Sequence, residues 1–166
     1  MSRCTVSGNE PVNAPDAPVP NSATRADGQH VDHWTMCPTE VMQAGFNRPV
    51  RMSYVHVGPP GPEFPLRDLT AEESARFDDE DPFAKFEPYP AGHRGSAIGR
   101  YWTQAEIDAV DKGCGVETSM PRAIAETYAA TPGYYGSTFC CGCGKYLPVG
   151  VRGEFVWTGT AERVGT

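Results

Sequence analysis

The chain is poor in apolar residues and has no long run of them. Hydrophobic side chains make up 39% of its 166 residues, below the roughly 45–50% of ordinary globular domains. No stretch approaches the length of about 18 apolar residues that would suggest a membrane span. The opening Met1-Ser2-Arg3-Cys4-Thr5-Val6-Ser7-Gly8 has no apolar segment of the kind a secretory leader carries, so a cytoplasmic location is expected. Positive charge is also short. The formal net charge is -7, a poor match for phosphate backbones. The familiar catalytic signatures are missing as well. There is no His-x-Glu with Pro-Cys-x-x-Cys deaminase pattern, no Gly-x-Ser-x-Gly, no phosphate-binding glycine loop and no Cys/His nucleophile arrangement. An enzyme is therefore not expected.

Turn-forming residues are abundant. The 18 Gly and 16 Pro amount to about a fifth of the chain, against roughly 12% on average, which excludes a bundle of long helices or a large parallel sheet. The expected fold is α+β: a small zinc-stabilised domain with short antiparallel strands, two or three short helices and much irregular chain. Three regions follow from composition. Residues 1–30 read as a Pro-rich arm, either flexible or laid on a partner. Residues 31–57 and 101–166 read as the core. Residues 58–100 read as an insertion, in which positions 63–87 hold nine acids and three bases among several aromatic residues. That run reads either as a solvated loop or as a surface for a basic partner site.

Local signals place the elements. Val50–Val57 alternates as a strand, with Val50, Met52, Tyr54 and His56 on one face. Thr70 with Glu73, and Thr103 with Glu106, have capping-box spacing. A further helix is expected from Met120 to Ala130, with Ser119 as cap and Ile124 and Tyr128 on one face. The C-terminal part reads as strands around Thr138-Phe139, Tyr146–Val149 and Glu154–Trp157, with Val164 in a last short one.

Six cysteines carry the chemistry. With no secretory leader, metal ligands or free thiols are expected in preference to disulfides. Cys140-Cys141-Gly142-Cys143-Gly144-Lys145 puts two thiols at the spacing that chelates one ion from a tight turn, with glycines where backbone amides must approach sulfur. The phrase resembles half of a zinc ribbon or zinc knuckle, and the resemblance covers about residues 138–157. A structural zinc needs four ligands. The expected set is His56, Cys114, Cys140 and Cys143; Cys114 is chosen because it too sits on a glycine-flanked turn. Cys37 is the main substitute, then His33 and His30. Cys141 is expected to face away as a buried free thiol. Glu117 is the acid nearest in sequence to a proposed ligand, and it would matter only if the ion kept an open position.

The stretch from Cys114-Gly115-Val116 through Thr138-Phe139-Cys140 to Glu154-Phe155-Val156-Trp157 resembles small bacteriophage proteins of high-GC bacteria that carry no assigned activity. The resemblance implies a virion accessory or decoration protein, or a binder of a host factor, located in the host cytoplasm or the virion. The expected function is a non-enzymatic interaction module with a protein partner. A nucleic-acid-binding zinc ribbon and a zinc hydrolase are the alternatives.

Overall fold

Prolines and glycines cut the chain into elements of three to nine residues. The computed structural model describes residues 3–8, 11–12, 23–62, 66, 70–75 and 102–166. Most of the acidic run at 63–87 and about half of the Pro-rich arm, including residues 13–22, lie outside the described residues. The chain divides into two units. The first comprises Met1–Gly58 with Gly113–Thr166, and the second Pro59–Lys112.

In the first unit, β1 (Arg3–Thr5) pairs antiparallel with β2 (Trp34–Met36), with Cys4 opposite Thr35. The beginning of the expected arm is thus a sheet strand. Helix α1 (Pro38–Ala44) starts with proline in its first turn, where the missing N–H has no intrahelical partner to lose. It stops at Gly45, whose φ of +68° suits glycine. Strand β3 (Ser53–His56) is the centre of the second sheet.

In the second unit, α2 (Ala71–Ser74) follows Thr70. Helix α3 (Gln104–Ala109) carries the expected capping box: the Glu106 N–H donates to Thr103 Oγ1, and the Thr103 N–H to the Glu106 carboxylate. Ile107 and Val110 pack on buried Trp102. The helix expected within 101–113 is present as α3, which lies in the second unit.

Back in the first unit, β4 (Glu117–Ser119) precedes α4 (Arg122–Ala130) and a short 3-10 helix, Pro132–Tyr134. Strands β5 (Ser137–Cys140) and β6 (Lys145–Pro148) form a hairpin, and β7 (Phe155–Trp157) completes the set. The central sheet has the order β4-β3-β7, all antiparallel. Strand β3 is shorter than its alternating pattern suggests because its neighbours have three residues each. Val50 and Met52 lie beyond the strand register and are exposed, the Met52 carbonyl accepting from the Met120 N–H (2.8 Å), while Tyr54 and His56 are buried as expected. Ser119 pairs with Ser53 in β4, so it does not cap α4; Pro121 occupies the N-cap position. Val164 is buried beside a bridge between Val156 and Arg163.

The main core joins β3, α4, β5 and β7 through Tyr54, Ile124, Tyr128, Cys140, Phe155, Trp157 and Val164. Ile124 and Tyr128 share the buried face expected of them. The Tyr54 hydroxyl donates to the Phe139 carbonyl (2.6 Å) and accepts from Thr138 (3.1 Å), tying the central sheet to the hairpin. The last carbonyls of α4, which have no helical donors, accept from the Asn47 side chain and from the backbone N–H groups of Asn47 and Arg48.

The cysteine expectation needs one correction. Cys4 and Cys37 form a disulfide, with Cα atoms 4.9 Å apart. The register of β1 on β2 sets Cys4 beside the residue that leads into α1, and that separation lies within disulfide range. The preference for thiols rested on the composition of residues 1–8 and on the clustering of Cys140, Cys141 and Cys143, neither of which bears on this pairing.

Candidate metal centre

Three chain segments meet at the end of β3. Strand alternation turns His56 inward beside Tyr54. The loop that follows the insertion wraps back over the strand end: the Gly115 N–H donates to the His56 carbonyl (2.9 Å), and the His56 N–H reaches the Val116 carbonyl (3.4 Å). This wrap is so close that a Cβ on Gly113 would lie 2.1 Å from the His56 carbonyl oxygen. Only glycine fits there, and Cys114 is thereby delivered to His56. The hairpin brings Cys140 at the end of β5 and Cys143 within its turn. The Gly144 N–H closes the turn on the Cys140 carbonyl (2.8 Å), with a φ of +65° at Gly144. A Cβ on Gly142 would meet Cys114 Sγ at 2.8 Å. That glycine lets the two cysteine loops approach each other.

The four ligand atoms, His56 Nδ1 and the Sγ atoms of Cys114, Cys140 and Cys143, all lie within 4.8 Å of one another. Nδ1 is 3.4 Å from Cys114, 3.7 Å from Cys140 and 3.4 Å from Cys143, and the Cys114 and Cys140 sulfurs are 3.4 Å apart. A tetrahedron with metal–sulfur bonds of about 2.3 Å and a metal–nitrogen bond of about 2.0 Å has edges of about 3.5–3.8 Å. The cluster has that size. None of its sulfurs is joined in a disulfide.

The surroundings favour thiolates and a fixed imidazole. His56 Nε2 lies 2.9 Å from the Glu154 carboxylate. A carboxylate only accepts, so Nε2 carries the proton; Nδ1 is left as an acceptor that faces the sulfurs and takes the Cys114 N–H (3.2 Å). This is the carboxylate–histidine arrangement that orients metal-bound imidazoles. Backbone amides serve the sulfurs. Burial, the largest single effect, raises the Cys114 thiol, and hydrogen bonds with the Val116 amide, His56, Cys140 and Cys143 together bring it down to about 7. Cys140 moves the other way: burial and the two neighbouring thiols push it up, against the amides of Cys143 and Gly142. Without an ion, three crowded sulfurs do not all ionise together, and a divalent cation supplies the missing charge.

All four residues of the expected ligand set are brought together. Cys37 is in the disulfide, and His30 and His33 line a different cleft. Cys141 points away from the cluster, but it is exposed and not buried; Thr118 donates to its sulfur and accepts from its amide. Glu117 bonds Thr158 and is not among the clustered residues. Glu154 was not singled out by the sequence. Only the register of β7 on β3, with Phe155 opposite His56, brings it to the ring. No protein-family model, curated protein or solved structure matches the chain.

Proposed function

We propose that the protein is a non-enzymatic interaction module whose first unit is held together by one structural zinc ion on His56, Cys114, Cys140 and Cys143. The observation that carries this is the convergence of one imidazole nitrogen and three sulfurs at tetrahedral spacing. Three sulfurs and one nitrogen are a donor set suited to zinc. Four protein ligands fill a tetrahedral sphere and leave no position for a reacting water, which argues for structure over catalysis. No helix of the described residues is long and apolar enough to cross a membrane. The partner in this reading is a protein, and an accessory or virion role is part of the same proposal.

Metal analysis with native mass spectrometry tests the core of this reading. One zinc per chain is expected. A strong chelator should lower the melting midpoint by about 10 °C or more, since structural zinc contributes on the order of 10 kcal/mol in small modules. Uptake should release protons and weaken as pH falls below about 7, because Cys114 then also binds a proton that the metal must displace. A metal-free preparation that melts cooperatively and ignores chelator would overturn the proposal. Salt-sensitive retention on DNA or RNA would favour the nucleic-acid alternative over a protein partner.

A further inference from the structure

A second concave feature lies in the first unit, separate from the sulfur cluster. It is a cleft of about 330 Å³ whose lining includes Arg3, His30, His33, Trp34, Tyr134 and Tyr146. None of its lining residues is acidic, although the chain as a whole carries a net charge of -7. The Arg3 guanidinium stands 6.0 Å over the centre of the Trp34 ring, a fixed cation beside an aromatic face. The His30 ring stacks on Tyr146 with centroids 4.4 Å apart.

The polar atoms have defined roles. The Tyr146 hydroxyl accepts from the His30 backbone N–H (3.0 Å) and lies 2.7 Å from His33 Nε2. Either atom can be the donor, according to the tautomer of neutral His33. Burial, and His30 beside it, hold His33 below the ordinary imidazole range, consistent with that neutral form. Arg3 is then the permanent charge of the cleft.

One account of this cluster is purely structural: His30, His33 and Tyr146 fasten the 23–33 segment to β6. That account leaves two observations over. Arg3, Trp34 and Tyr134 add a cation and two further rings that the fastening does not use. The Nδ1 atom of His30 is buried with no hydrogen-bond partner among the described residues, a condition native proteins rarely leave without a reason.

We propose that the cleft binds a nucleoside monophosphate, its phosphate on Arg3 and its base among the rings. Arginine recognises phosphate oxygens in pairs, and aromatic side chains stack on any base. The volume is near the lower end of ligand sites, roughly 300–1,000 Å³, which suits one nucleotide and not a dinucleotide. The proposal stands independently of the metal reading.

Titration of the full-length, zinc-supplemented protein with AMP, UMP, adenosine and inorganic phosphate, followed by amide and indole NMR shifts, tests it. Both nucleotides should saturate, at least tenfold more tightly than adenosine or phosphate alone, with shifts centred on Trp34, His33, Gly136 and Ser137. Arg3 is exposed, so Arg3→Gln should keep the wild-type melting midpoint. It should weaken AMP about tenfold, leave adenosine unchanged, and be partly rescued by Arg3→Lys. Three results would each overturn the proposal: no saturation at millimolar AMP, AMP no tighter than phosphate, or equal AMP affinity in Arg3→Gln.

Discussion

Glu154 has no contact with the sulfurs in the hydrogen-bond network; it acts on the cluster through His56. Its carboxylate holds the Nε2 proton at 2.9 Å and so decides which ring nitrogen faces the cysteines. Removing such a partner typically lowers metal affinity by about 10–100-fold. Glu154→Ala should do so in a competition titration with a chromophoric chelator. Glu154→Gln should lose less, because its amide oxygen still accepts from Nε2. Equal affinity in all three proteins would show that the ring is fixed by its strand and loop alone. The four clustered residues could be nominated from residue type and glycine context, since Cys-x-x-Cys-Gly and Gly-Cys-Gly describe local turns. Glu154 could not, because its role depends on which strands pair. Cys141 shows the same limit: its direction away from the cluster follows from the turn, but its exposure depends on what packs outside.

Among elements, the disulfide between β1 and the start of α1 closes a separation of 33 residues. Chain-entropy arithmetic for a loop of that size gives about 3–4 kcal/mol. The paired change Cys4→Ser/Cys37→Ser should lower unfolding stability by about that amount in denaturant melts. It should leave zinc stoichiometry unchanged, since neither residue is in the cluster. Loss of zinc together with the disulfide would mean that the β1-β2 sheet and the metal centre fold as one unit. Helices were the more legible elements. Thr103 with Glu106, and Ile124 with Tyr128, work within one helix, so three- and four-residue spacing carries the information. Strand extents were less legible: Val50 and Met52 follow the alternation of β3 but have no neighbouring strand to cover them.

For the whole molecule, what matters is that residues 59–112 form a unit of their own between His56 and Cys114. In the first unit the two ends of this interruption nearly touch. An ideal Cβ on Gly113 would lie 2.5 Å from the Gly58 nitrogen, and the Gly58 N–H is held by the Glu154 carbonyl (3.1 Å). Replacing 59–112 by a short Gly/Ser linker should therefore give a chain that still takes up one zinc and melts cooperatively, since closing a short loop between adjacent ends costs little. A truncated chain that neither folds nor binds zinc would show that the inserted unit supports the first. Composition sets the bounds of the insertion at 58–100; charge and proline content change gradually along the chain, whereas the close approach at Gly113 exists only once the chain is folded.

That pinched doorway has a consequence for how such a chain can diversify. A segment whose entrance and exit share one anchor can lengthen, shorten or change its surface chemistry without moving the anchor, much as a loop does at a hairpin tip. Variation in this protein should therefore accumulate in the stretch hung from Gly58 and Gly113, while the glycines of the doorway itself tolerate almost none.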